Sequence, residues 1–526
     1  MEKHEQVEQQ SAAQPKLGIL LSVLVLVLAA FMSVLDNTIV NVSIPKMMAV
    51  FGVGTTDIQW VVTAYSLVVG ALVPITGYLG DRFGYKRIFL YSVILFTLGS
   101  ALCGMAWSNR AMIIFRIIQA IGGGAIMPIS MAMMFRMFPP ERRGFSMGIF
   151  GIAIMFAPAF GPTLGGYITE YMDWRLIFYI NVPIGIIDII LASIILEETR
   201  PAAGRKFDFW GFLTSSAGLA SLLYGLGIVA DKGWSDIEVI SYITFGLVCL
   251  ALFTWIELTI EEPMIDLRLM KNGLFSLSLA ITSIASIILF ASLFLLPVFL
   301  QNVSGLSALD TGLVLLPQGI AAGIMMPISG FLFDKIGAKW LAVVGLTITA
   351  YGYFLMQSLD VTTAYSTISA WLIIRAIGIG GVMMPVTTAG MNTVPPPKVG
   401  QATALTNAIR QVSASLGIAW LSTLFSQRVT FHMAVGAEQV NESSVAAMQT
   451  LAQAKAAFMS SGQSVQQAAQ SALSYIGQQV QLSAIVRGMD DVFWVITIVT
   501  LLAIFLAFFM KDVRKKGEKP QAVIAE

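Results

Sequence analysis

Gly77-Tyr-Leu-Gly-Asp81-Arg82-Phe-Gly84-Tyr-Lys86 returns as Gly330-Phe-Leu-Phe-Asp334-Lys335-Ile-Gly337-Ala-Lys339. Each matched Gly, Asp and basic residue keeps one offset of 253 positions. Both copies stand between long apolar runs, so each is a short charged loop joining two hydrophobic segments. A second pair follows in the same order. Arg116 precedes Gly122, Gly123, Gly124 and Pro128, and Arg375 precedes Gly378, Gly380, Gly381 and Pro385. Repeated halves with a central site are the architecture of alternating-access transporters.

The runs around these loops are membrane-length. Of 526 residues, 56% are apolar and 12% charged, about half the charge of a soluble domain, where roughly 25% is usual. Apolar stretches close to the ~20 residues of a membrane span are expected near 17–42, 57–79, 87–107, 110–135, 144–169, 175–196, 209–230, 239–258, 274–300, 309–333, 339–358, 365–390, 400–425 and 491–510. The fold class expected is therefore an all-α integral membrane protein with fourteen spans. Two six-helix pseudo-repeats, 17–196 and 274–510, flank a linker at 197–273 that carries two extra helices. Tails are expected at 1–16 and 511–526, and a long external loop at 427–488 with room for amphipathic helices. The polar start Met1–Lys16 and a full-length first run do not fit a cleavable signal peptide.

Charge sets the orientation. With the N-terminus in the cytoplasm, inner segments hold 21 of the 31 Lys and Arg and outer segments 7. The basic excess belongs on the cytoplasmic side, so both termini are expected there, in a multi-pass inner or plasma-membrane protein. Cys103 and Cys249 lie inside apolar runs and suggest neither a disulfide framework nor a metal site. The two histidines, His4 and His432, lie outside the spans, so an intramembrane proton carrier has to be a carboxylate. No Gly-Lys pair occurs, which removes the phosphate-binding loop, and Gly144-Phe-Ser146-Met-Gly148 lacks the strand and histidine of a hydrolase elbow. Neither an enzyme activity, a cofactor nor a nucleic-acid partner is expected; the energy source expected is the proton gradient, worth about 2.3 kcal/mol per charge across 100 mV.

Intramembrane charges mark candidate sites, because a charge near the bilayer centre costs about 3 kcal/mol on insertion scales. Asp36, in the first span, is placed to load and release a proton or a cationic ligand; the alternative is a polar cap bonded to Asn37, Thr38 and Asn41 at a helix end. Arg116 cannot shuttle protons, but it can bias a nearby carboxylate or lock two helices by pairing with an acid. Asp188, in Ile-Ile-Asp-Ile-Ile, must face a cavity or a partner. Arg375 and Arg410 are the corresponding charges of the second half, open to either a functional or a structural pairing.

Pro158, Gly161, Pro162, Gly165 and Gly166 make the fifth span a hinge or a close-packed seam. The loop Gly77, Asp81, Arg82, Gly84, Lys86, Arg87 and its copy Gly330, Asp334, Lys335, Gly337 suit gating, with an acid at a helix N-terminus and bridging salt bridges. Methionine clusters near Met127 and Met383 either line an adaptable cavity or fill packing space.

In these motifs the chain resembles the major facilitator superfamily, specifically its fourteen-span drug:proton antiporters of the EmrB/QacA type. The resemblance runs from about Leu17 to Met510. It rests on Leu35-Asp-Asn-Thr-Ile-Val-Asn-Val42, the Gly77–Arg87 loop, Arg116 with Gln119 and the glycine run, Gly161-Pro-Thr-Leu-Gly-Gly166, Trp174-Arg175 with Asn181-Val-Pro-Ile-Gly185, and Gly400–Gly417 around Arg410. It implies a major facilitator fold, proton coupling at Arg116, and export, since the Gly161–Gly166 motif marks antiporters. The expected partners are small hydrophobic or cationic substrates and membrane lipid. A dedicated metabolite exporter, a symporter, or a membrane enzyme or sensor on the same scaffold are the alternatives. Adaptor use stays open.

Overall fold

The computed structural model describes residues 16–199, 207–440 and 445–511. The basic cluster from Arg514 to Lys519 and most of both tails lie outside them. The described residues form helices and no strands: α1 (Lys16–Phe51), α2 (Thr55–Leu72), α3 (Thr76–Phe83), α4 (Tyr85–Gly104), α5 (Asn109–Met137), α6 (Arg143–Tyr171), α7 (Leu176–Tyr179), α8 (Asn181–Ile195), α9 (Phe209–Lys232), α10 (Ile237–Thr259), α11 (Gly273–Asn302), α12 (Ala308–Ile336), α13 (Ala338–Leu355), α14 (Tyr365–Gly380), α15 (Met383–Met391), α16 (Val399–Gln439), α17 (Val445–Ser460) and α18 (Val465–Phe508).

With α2–α3, α7–α8 and α14–α15 each taken as one path, thirteen described segments are long and apolar enough to cross a membrane. The fourteenth expected span is α16. Its first half carries Gln401, Thr403, Thr406, Asn407, Arg410, Gln411 and Ser413, which lowers its apolarity. Most of these polar residues are buried, with Asn407 against Met131 of α5 and Gln401 accepting from the Asp266 backbone N–H.

The first span runs on to Phe51 without a break. The described part of the expected external segment 427–488 is mostly helical: α16 continues to Gln439, α17 follows, and α18 begins at Val465 and runs unbroken into the last span. Ser464 and Gln467 form a capping box that starts this 44-residue helix, so hydrogen bonding continues where apolarity stops.

Lipid supplies no hydrophobic drive between helices, so close van der Waals contact has to hold the bundle. Helix α6 supplies it on two sides. Gly161 and Gly165 face α1: a Cβ on Gly165 would meet Ile39 Cγ1 at 2.8 Å, and one on Gly161 would overlap Thr38. Gly148 and Gly166 face α12, where a Cβ would sit 2.6 Å from the Met326 carbonyl and 2.9 Å from the Leu309 nitrogen. The helix runs unbroken through Pro158 and Pro162. It is thus a seam within the first half and between the halves at once.

The repeated segments expected as short loops are helical up to Gly84 and Gly337, 77–83 within α3 and 330–336 within α12, and they meet across the molecule in a reciprocal way. Gly330 lies against Gly144 at the start of α6, and a Cβ on Gly77 would be 2.7 Å from the Gly400 carbonyl at the start of α16. Gly84 and Gly337 turn between helices with φ of 95° and 81°, a region that L side chains rarely adopt. Asp334 accepts hydrogen bonds from the Gly144 and Phe145 backbone N–H groups, both at 3.0 Å. An acid of the second half therefore caps the exposed donors of a first-half helix.

Asp81 does something else. It accepts from Arg136 Nη2 at 2.7 Å and from the Tyr85 hydroxyl at 2.8 Å, both within its own half. Lys86 donates to the Ser193 carbonyl at 2.7 Å, Arg87 approaches Glu198 at 3.5 Å, and Arg82 lies over the Tyr78 ring at 6.0 Å.

The extra pair α9–α10 packs outside the two bundles. Ser216 of α9 donates to the Ala71 carbonyl of α2 at 2.7 Å, and Trp234 just beyond α9 donates to Thr423 of α16 at 3.1 Å.

Candidate functional site

The polar centre lies inside the first half, where α1, α2, α4, α5 and α8 converge. Arg116 and Asp36 form an ion pair at 2.5 Å, and neither side chain has any exposed surface. Asp36 Oδ1 also accepts from Gln119 Nε2 at 2.9 Å and from Asn181 Nδ2 at 2.8 Å. Gln119 stands three residues from Arg116, on the same helical face. Its oxygen accepts from Arg116 Nη1 at 2.7 Å, and its nitrogen donates to Ser100 Oγ at 2.7 Å. Arg116 Nε donates to the Val61 carbonyl at 3.3 Å, and the guanidinium lies 4.0 Å from the centre of the Tyr65 ring, a cation–π contact.

Asp36 is therefore neither a cap at a helix end nor a lone acid in an apolar cavity. The polar residues beside it in sequence turn back on their own helix: Thr38 donates to the Leu35 carbonyl and Asn41 to the Asn37 carbonyl. The partners of Asp36 come from 80 to 145 residues away. Asn181 reaches it because α8 starts there, at the Asn-Val-Pro junction after α7. Ser100 and Tyr65 carried no signal beyond being polar atoms inside apolar spans.

Asp188 is fully buried on the α8 face that also carries Asn181, Gly185 and Ala192. Among the described residues neither of its oxygens has a hydrogen-bond partner. Of the expected cavity or partner, the described residues supply no hydrogen-bonding partner. An unpaired buried carboxylate is costly, so this group calls for a ligand or a proton.

In the second half Arg375 is buried and bonded to neutral groups: Ser292, Gln318 and the Tyr353 hydroxyl, the last at 3.0 Å. Among the described residues it pairs with no acid. Arg410 is half-buried and donates to Asn407 Oδ1 at 2.6 Å. Met131, Met133, Met134, Met326, Met383 and Met384 are all buried in one core that joins both halves.

At the end bearing the repeated loops, a charged cleft of about 550 Å³ is lined by Asp81, Arg136, Asp266, Arg268 and Lys398 among others. Burial alone would raise the Asp266 carboxyl. Hydrogen bonds from Lys398 at 2.5 Å and from the Arg268 backbone N–H at 3.0 Å outweigh it and hold the group below its usual range. This cleft is separate from the Asp36 network.

Comparison with known proteins agrees with this architecture. Residues 26–418 match the Major Facilitator Superfamily. The MFS-type transporter YhcA of Bacillus subtilis is 40% identical over 493 residues, covering 94% of this chain and 93% of that one. The multidrug export protein EmrB of Haemophilus influenzae is 30% identical, covering 94% and 96%. The lincomycin resistance protein LmrB of Listeria monocytogenes is 32% identical, covering 80% and 90%. The crystal structure of the human organic anion transporter MFSD10 shares the fold, with a TM-score of 0.60 at 14% identity over 94% of this chain and 100% of that one. The repeated halves, the reciprocal loops and these relatives make the chain a multi-pass membrane transporter that belongs to the major facilitator superfamily.

Proposed function

We propose that the protein is a proton-coupled exporter of hydrophobic, drug-like compounds working by alternating access. The observation that carries this reading is the Asp36–Arg116–Gln119–Asn181 network. It is an acid and a base fully buried at membrane depth, where a charge is retained only for use or in a pair. Proton arrival at Asp36 would discharge the carboxylate and release Arg116, changing the bonds between α1, α5 and α8 in one event.

Export, rather than uptake, is favoured by relatives named for drug resistance and export and by the glycine-rich α6. The loop end, taken as the cytoplasmic side, is held shut by Asp334 on α6 and by the Gly77–Gly400 contact. Opening there requires both to part. Cationic cargo has less support than hydrophobic cargo. The span acids discussed lie within the first half, Asp36 bonded to Arg116 and Asp188 sealed.

The test uses purified protein in liposomes holding a pH-sensitive dye, with ethidium and lincomycin as probes. Proton movement opposite to probe movement is expected, absent in Asp36→Asn and partly kept in Asp36→Glu. Protons moving together with the probe, or unchanged exchange in Asp36→Asn, would overturn the reading.

A further inference from the structure

The intramembrane arginines have different surroundings, and only one of them is open. Arg116 is neutralised by Asp36, and Arg375 is enclosed by Ser292, Gln318 and Tyr353. Arg410 makes one side-chain hydrogen bond, to Asn407, and no carboxylate pairs with it among the described residues. It stands eleven residues into α16 from Val399, about 16 Å along the helix axis, which is near the middle of a ~30 Å hydrocarbon layer.

Its neighbour fixes the direction it serves. Asn407, three residues earlier on the helix, reaches Met131 Sδ of α5 at 3.7 Å, so this side of α16 meets the first half. The Arg410 guanidinium therefore stands beside the interface between halves, where alternating access opens a path, next to an apolar wall that includes Met131 and Ile409. Guanidinium stays charged at any physiological pH, and a charge at this depth is costly unless it is paired. Among the described residues no counter-charge pairs with Arg410.

We propose that the counter-charge is the cargo: Arg410 binds the acidic group of an amphiphilic organic anion, a carboxylate or sulfonate on an apolar body that packs on the methionine-rich wall. This narrows the substrate class and rests on the export reading above. A lipid phosphate has the same chemistry, but the headgroup layer lies about 15 Å from the bilayer centre.

The test measures binding of two matched probes to the full chain in phosphatidylcholine nanodiscs, corrected by empty discs. These are 8-anilinonaphthalene-1-sulfonate and N-phenyl-1-naphthylamine, which share the ring system and differ in the sulfonate. The unaltered protein is expected to prefer the sulfonate by roughly tenfold or more, the scale of one charge-assisted hydrogen bond. Arg410→Gln should remove that preference while binding the neutral amine as before, and Arg410→Lys should keep part of it. Equal affinity of the two probes for the unaltered protein overturns the proposal whether or not the variants fold. So does equal weakening of both probes in Arg410→Gln, which is the mark of a merely structural role. Exchanging half the lipid for phosphatidylglycerol separates the sources: unchanged sulfonate affinity supports cargo, and its loss assigns the site to lipid phosphate and overturns the cargo assignment. Proton exchange in liposomes is scored separately, so failure of the anion assignment leaves the export reading standing, and the reverse.

Discussion

Asp36 and Arg116 hold each other in place, since each would be an uncompensated charge without the other. Removing one partner of a buried pair typically costs about 3–5 kcal/mol, while replacing both can be nearly neutral. Asp36→Asn and Arg116→Gln are each expected to lower the unfolding midpoint in detergent, and the double variant should lose less than the sum of the two. Additive losses in a double-mutant cycle would show that the 2.5 Å contact does not couple them. Loss of export in Asp36→Asn therefore has to be read beside its stability. Asp36→Glu, which keeps the charge, is the cleaner probe of titration.

Among the elements, α6 makes two different contacts with one set of small residues, and the two separate by mutation. Gly161 faces α1 inside the first half, and Gly148 faces α12 across the halves. Gly161→Leu is expected to lower the thermal stability of the protein, and Gly148→Leu to change the closure of the loop end with a smaller loss of stability. Labelling of a Ser329→Cys reporter, at a fully buried position bonded to Gly380, reads closure: faster labelling is expected with Gly148→Leu. Equal labelling in the two glycine variants would contradict the division.

The segment before α11 gives a pH test at the same scale. Asp266 ties it to α16 through Lys398, and its backbone N–H donates to Gln401 at 3.0 Å. Its folded-state value lies below its ordinary 3.8. The carboxylate therefore adds stability above the unfolded value, and loses it as pH falls through the folded one, below about 4. Asp266→Asn should lower the melting temperature at pH 7, with the gap to the unaltered protein closing below about pH 4; a gap independent of pH would remove the carboxylate from the account.

For the whole molecule, closure at the loop end depends on a carboxylate of one half meeting backbone donors of the other. Asp334→Asn keeps the size and one acceptor but loses the charge at the α6 N-terminus, where such charges contribute about 0.3–1 kcal/mol, or up to ~2 when partly buried. A shift of this size moves a two-state equilibrium several-fold. Ser329→Cys is expected to label faster in the Asp334→Asn background, by about two- to tenfold on the same scale. An unchanged rate would mean the glycine contacts alone close that end.

Much of the architecture is legible in the chain itself, because lipid imposes a length on every span and a sign on the loops between them. The offset of 253 positions between the Gly77 and Gly330 loops showed two halves, and the lone charges in apolar runs marked Asp36, Arg116, Asp188, Arg375 and Arg410 as residues needing explanation. What answers each charge was not legible. The partners of Asp36 are up to 145 residues away, and no local period records a contact between distant helices. Sequence likewise could not show that Asp334 caps a helix of the opposite half, or that α16 and α18 extend their spans as helix to Gln439 and from Val465. Apolarity locates the membrane-length segments; the hydrogen bonds that carry a helix past them, and the geometry that sets Arg410 beside the interface with no acid paired to it among the described residues, exist only once the helices are packed.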